Sequence, residues 1–167
     1  NLGTLQVDPN TAAVTIEGAS ASKTYDGTAL ATNEVASFTG LPAGFTVELA
    51  AAGNRTDVGN SENTVSGYTI KSMYGDDATK FFTNVTVVPG TLTVDPAELT
   101  VTTQGAEKVF DGTPLKNDNG EVAGLVNGET ATVVPNGSQT EVGTSSNGYS
   151  MQWGTAKSGN YKIVSET

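Results

Sequence analysis

The sequence predicts an all-β fold, built as two tandem β-sandwich domains of the immunoglobulin-like kind, and three observations predict it. Short segments alternate apolar residues with Thr, as in Leu92-Thr93-Val94, which is the period-two pattern of a strand with one face buried. Turn dipeptides punctuate the chain at Asp26-Gly27, Pro89-Gly90, Asp111-Gly112, Asn119-Gly120, Asn127-Gly128, Asn136-Gly137 and Asn147-Gly148. Gly and Asn supply there the positive φ that tight turns need. Blocks of sequence then occur twice in one order, the mark of a duplicated structural unit. A β-grasp-like mixed sheet with one short helix is the alternative architecture.

In chain order, residues 1–8 carry Gly3-Thr4-Leu5-Gln6-Val7 and read as the closing strand of a preceding repeat. Residues 9–95 form the first repeat domain. Its strand Val14-Thr15-Ile16 is followed by Lys23-Thr24-Tyr25-Asp26-Gly27-Thr28, a strand end running into a turn, and Ala31 to Phe38 leaves room for one short helical turn at most. Asp57-Val58-Gly59, Gly67-Tyr68-Thr69-Ile70, Asn84 to Val88 and Gly90 to Val94 complete it. Residues 96–167 repeat these blocks. GTLQVDP at Gly3–Pro9 recurs as GTLTVDP at Gly90–Pro96, and KTYDGTAL at Lys23–Leu30 as KVFDGTPL at Lys108–Leu115. Asp57-Val58-Gly59 recurs as Glu141-Val142-Gly143, GYTI from Gly67 as GYSM from Gly148, and Asn84–Val88 as Asn160–Val164.

Pro9 and Pro96 fix φ and withhold a donor, and each pushes the Asp before it into extended backbone, so both junctions read as stiff domain boundaries. The first copy continues through Pro89 into Gly90–Val94, whereas the second stops at Thr167, so the chain reads as a segment cut from an array whose second domain lacks its final strand. An unfilled sheet position leaves backbone donors and acceptors open to another strand. Strand exchange with Gly3–Val7 of a neighbouring molecule is the expected consequence.

Composition removes most chemistry. The 167 residues carry a net charge of −10 and contain neither His nor Cys. Without imidazole or thiol there is no Ser-His-Asp triad, Cys nucleophile, disulfide or zinc site of Cys or His ligands, and the chain is expected not to be an enzyme. Net negative charge disfavours nucleic acid and anionic lipid as partners. No apolar run is long enough to span a bilayer, and Asn1-Leu2-Gly3-Thr4 does not open a signal-peptide pattern.

The blocks KTYDGT and KVFDGT, each followed by an Asn-led strand and, in the first copy, by GTLTV, resemble the YDG/MBG-type repeat domains of bacterial surface proteins and adhesins. The resemblance covers both copies. It implies an extracellular module, attached to the cell wall or cell surface, with no catalytic residues. The flanking repeats of the same polypeptide are then its immediate partners.

The structural motif is Tyr25, Asp26 and Gly27 in the first copy and Phe110, Asp111 and Gly112 in the second. The two aromatics are expected to anchor a core while Asp or Thr caps backbone N–H groups in the turn. A ligand site around Asp26 and Asp111 is the competing reading. Trp153, Tyr74, Phe81 and Phe82 lie where the copies differ most and could offer sugar rings a stacking platform. Calcium is the one cofactor to weigh, because Asn117-Asp118-Asn119-Gly120-Glu121 and Asp76-Asp77 concentrate oxygen ligands. Neither run has EF-hand spacing, and solvated turns explain both; no metal site is assigned. Lys23 and Lys108, matched like Asn84 and Asn160, would permit isopeptide bonds, but no recognised motif accompanies them.

The expected function is a non-enzymatic stalk or spacer in a cell-surface adhesin. The alternative is an adhesion module that binds host glycan or protein through its variable loops.

Overall fold

Strands form where β-branched residues alternate with polar ones, since such side chains suit a pleated, half-buried surface. The structure, a computed structural model, describes residues 2–51 and 53–166. Within them lie β1 (Val14–Gly18), β2 (Ala21–Thr24), β3 (Val35–Thr39), β4 (Thr46–Ala51), β5 (Gly59–Asn63), β6 (Val65–Lys71), β7 (Val85–Val88) and β8 (Gly90–Asp95). There follow β9 (Ala97–Thr103), β10 (Gly120–Ala123), β11 (Ala131–Pro135), β12 (Tyr149–Trp153) and β13 (Tyr161–Glu166). No α-helix occurs among the described residues, only 3-10 turns at Thr79–Phe81 and Ser158–Asn160. The chain is all-β and divides into two compact units, one of Asn1–Lys23 with Ala29–Val94 and one of Thr24–Thr28 with Asp95–Thr167.

In the first unit β1 is the central strand of a mixed sheet ordered β3-β1-β7. It runs antiparallel to β3, with Ile16 opposite Phe38, and parallel to β7, with Val14 opposite Val85 and Ile16 opposite Val87. β4 pairs antiparallel with β6, placing Val47 opposite Ile70. Val14 and Ile16 from the sheet meet Leu49 and Ile70 from the pair, closed by Ala78 and Phe82. Each aliphatic side chain so buried stabilises the unit by about 1.5–3 kcal/mol. A further sheet has the order β2-β8-β5, and its central strand turns Leu92 and Val94 fully inward.

The second unit repeats this plan. β9 is central in β10-β9-β13, antiparallel to β10 with Val101 opposite Val122, and parallel to β13 with Leu99 opposite Ile163. β11 pairs antiparallel with β12, Val133 opposite Met151. Leu99, Val101 and Val133 are buried. The sheet corresponding to β2-β8-β5 is not formed among the described residues: 104–111 and 140–148 carry no strand.

One expectation about the elements changes. Ala31 to Phe38 holds no helical turn; residues 31–34 are irregular and Val35–Thr39 is β3, because Val, Phe and Thr there find a pairing partner in β1. Residues 2–8, read as the closing strand of a preceding repeat, pair with no strand among the described residues, and Leu2, Leu5 and Val7 are exposed.

Candidate functional site

Both Asp-Gly turns are built alike. Asp26 Oδ1 accepts from the Thr28 amide at 2.9 Å and from Thr28 Oγ1 at 2.8 Å. Asp111 Oδ1 accepts from the Thr113 amide and hydroxyl at the same two distances. Such a carboxylate replaces backbone pairing in the turn, and Gly27 and Gly112 take the positive φ it requires, 79° and 77°. In the second turn Lys108 Nζ also donates to Asp111 Oδ1 at 2.7 Å and to Thr113 Oγ1 at 2.6 Å. The Lys108 ammonium, followed by the Thr113 donors, holds the Asp111 carboxyl well below the usual carboxylate range.

The aromatic residue before each Asp meets a different fate. Tyr25 belongs to the second unit and is 4% exposed. Its hydroxyl donates to Glu129 Oε1, while the Tyr161 hydroxyl donates to Glu129 Oε2 at 2.7 Å. The Tyr25 and Tyr161 rings meet edge to face with centroids 5.6 Å apart, and Trp153 stacks on Tyr161 at 6.1 Å. Tyr161 Oη in turn accepts from the Val126 amide at 3.2 Å. A carboxylate that accepts from the phenol favours its protonated form, and burial adds to this, so Tyr25 is pushed up to about 12. Burial first, then the bond to Glu129, raises Tyr161 as well.

Phe110 is 56% exposed. The expectation that it anchors a core in this chain is corrected: a Cβ at Gly27 would lie 2.6 Å from Asn127 Cβ, whereas nothing stands within 4 Å of one at Gly112. The first turn is docked and the second is open.

The four candidate stacking aromatics do not come together. Phe82 is in the first unit's core, in edge contact with Phe45 at 5.6 Å, and Trp153 is half-buried in the second unit. Only Tyr74 and Phe81 are exposed, on the segment that leads into and through a 3-10 turn, with Lys80 Nζ 5.0 Å from the Phe81 ring centre. The oxygen-rich runs serve as caps: Asp77 Oδ1 accepts from the Thr79 amide at 2.9 Å, and Asn117 Oδ1 from that of Asn119 at 3.0 Å. Among the described residues no three His, Cys or carboxylate groups gather as a cation cage.

Matched braces that the sequence reading did not single out hold each unit. Asn63 Nδ2 donates to the carbonyls of Ala19 and Thr32 at 3.1 and 2.9 Å. Asn147 Nδ2 donates to those of Gln104 and Asn117 at 2.9 and 2.8 Å. An isolated bridge joins Leu30 to Arg55 and its counterpart joins Leu115 to Gln139. Aligning the copies residue by residue would have revealed the Asn pair, each lying shortly before the GY block.

Residues 99–167 match the family model described as the MBG domain (YGX type). No curated protein and no solved structure matches the chain.

Proposed function

We propose, with residues 99–167 an MBG-type domain as premise, that this chain is a non-enzymatic stalk or spacer segment of a bacterial cell-surface adhesin. It acts outside the cell, attached to the wall or surface, and each unit is a small β-sandwich-like repeat. The observation that carries this reading is the repetition itself: both units share one strand plan and matched Asn and Leu braces. A duplicated fold whose matched side chains brace backbone extends reach without adding a reaction. The face-to-face burial of Val14 and Ile16 against Leu49 and Ile70 supports the sandwich arrangement. The Glu129 carboxylate, engaged by two phenols, is a brace rather than a reactive group offered to solvent.

Binding through variable loops is the second reading, favoured by Met73, Tyr74 and Phe81, exposed together in one stretch of the first unit. Screening this segment on arrays of host glycans and extracellular proteins decides between them. A spacer gives no reproducible binder. Binding that disappears in Tyr74→Ala with Phe81→Ala transfers the function to that loop.

A further inference from the structure

The first unit holds two runs of chain, one early and one late in its sequence, that travel side by side in the same direction. β1 lies parallel to β7, with Val14 opposite Val85 and Glu17 opposite Val88. Both runs then pass into another sheet together, β1 leading to β2 and β7 to β8, and there they are neighbours again. Their contacts keep ascending in step. A Cβ at Gly90 would meet the Ala19 carbonyl oxygen at 2.1 Å, the Thr91 amide donates to Ser20 Oγ at 2.9 Å, and the Tyr25 amide donates to the Asp95 carbonyl at 2.7 Å. The parallel pairing is thus carried across the change of sheet, by a close approach that only Gly permits at position 90. Alternate residues of both runs are buried, Val14 and Ile16 in one and Leu92 and Val94 in the other. On its far side β8 is held by β5, with Ser61 opposite Leu92. The second unit uses the same arrangement, β9 parallel to β13 with Ala97 opposite Tyr161.

Direction decides how such a pairing meets a pull. Load carried along the polypeptide enters at the start of β1 and leaves at the end of β8. Because the two runs are parallel, those points lie at opposite ends of the pairing. Tension then slides one run past the other, and the hydrogen bonds between them are strained together. Antiparallel runs would bring the two loaded points to one end, and the bonds would open one after another. Bonds between parallel strands are evenly spaced, so the load is shared along the pairing, and the buried side denies a strained bond a replacement partner in water. We propose that β1–β2 paired with β7–β8 is a shear clamp that makes the first unit resist tension along the chain. With the chain a spacer, as above, the clamp gives it a mechanical function: the unit keeps its length under load. What the clamp sets is the rate of forced unfolding, which equilibrium stability does not fix.

Single-molecule pulling of the whole chain in two directions tests the proposal. The sequence has no Cys, so an introduced pair gives unique handles, attached under reducing conditions. Ala12→Cys with Asp95→Cys loads the pairing in shear. Ala12→Cys with Thr83→Cys loads it from one end, because these residues just precede the opposed pair Val14 and Val85. All three positions are exposed, so both variants should keep the circular dichroism of the parent. In shear, release of the unit should lengthen the tether by about 250 Å, at ~3.3–3.6 Å per residue. At one loading rate the rupture force should be several-fold higher in shear than in peeling. Equal forces in the two directions, or a lower force in shear, overturn the proposal. Failure of the spacer reading looks different. A chain that shows the contrast in force and also binds on the arrays keeps the clamp and loses the spacer role. One that binds nothing and yields equally in both directions keeps the spacer role and loses the clamp.

Discussion

At the residue scale, matched sequence positions have diverged in what they do. Tyr25 and Phe110 precede the same Asp-Gly-Thr turn, yet only Tyr25 finds a partner for a hydroxyl, in Glu129. Hydrogen bonds to a charged group contribute about 1.5–3 kcal/mol, so Tyr25→Phe should destabilise the second unit by about that amount in urea unfolding. Because Tyr25 is raised from the ordinary phenol value to about 12, its contribution is fully present below the unfolded value near pH ~10 and is lost as pH rises through about 12. Ultraviolet titration of the five tyrosines should show late-ionising groups, and Tyr25→Phe should remove one. Asn147 offers a second test. Its side chain serves two carbonyls and accepts from the Gly137 amide at 3.1 Å; Asn147→Ala leaves these groups unpaired and should cost about 2–4 kcal/mol by the same measurement. Aligning the copies pairs Asn63 with Asn147 but does not say which carbonyls they grip, and Tyr25 reads in sequence only as a core anchor, because its partner Glu129 lies 104 residues away.

At the element scale, period-two alternation located strands well and said nothing about their neighbours. The central strands β1 and β9 each pair antiparallel on one side and parallel on the other. A parallel partner comes from far along the chain, because a parallel connection needs a long crossover, and no local pattern announces it. The segment Ala31–Phe38 illustrates the limit: its short apolar spacing allowed a helical turn, and pairing with β1 decided for strand. Close approach is also an element-level fact. Gly90→Val should force β8 away from the Ala19 carbonyl and destabilise the first unit by about 1–3 kcal/mol in denaturant. Loss of strand signal in circular dichroism should accompany it.

At the scale of the whole molecule, the absence of His from all 167 residues leaves no side chain with an unperturbed pKa between about pH 5 and 8. Thermal midpoints should therefore be flat across that interval. The Asp111 carboxyl, held low by Lys108 and Thr113, and the Asp77 carboxyl, held low by Thr79, contribute above their unfolded values and cease to as pH falls through their folded ones. Stability should thus decline only in stronger acid, and melts over a pH series check both limbs. By itself the sequence determined the β class, the duplicated blocks and the positions of the Asp-Gly turns, since alternation and turn chemistry are properties of neighbouring residues. Only the tertiary structure decided that Tyr25 docks with Glu129 and Tyr161 while Phe110 stays open, and that β8 is enclosed while Gly3–Val7 is bare. Burial depends on which distant surface the fold brings alongside, and closely matched local sequence carries no record of that.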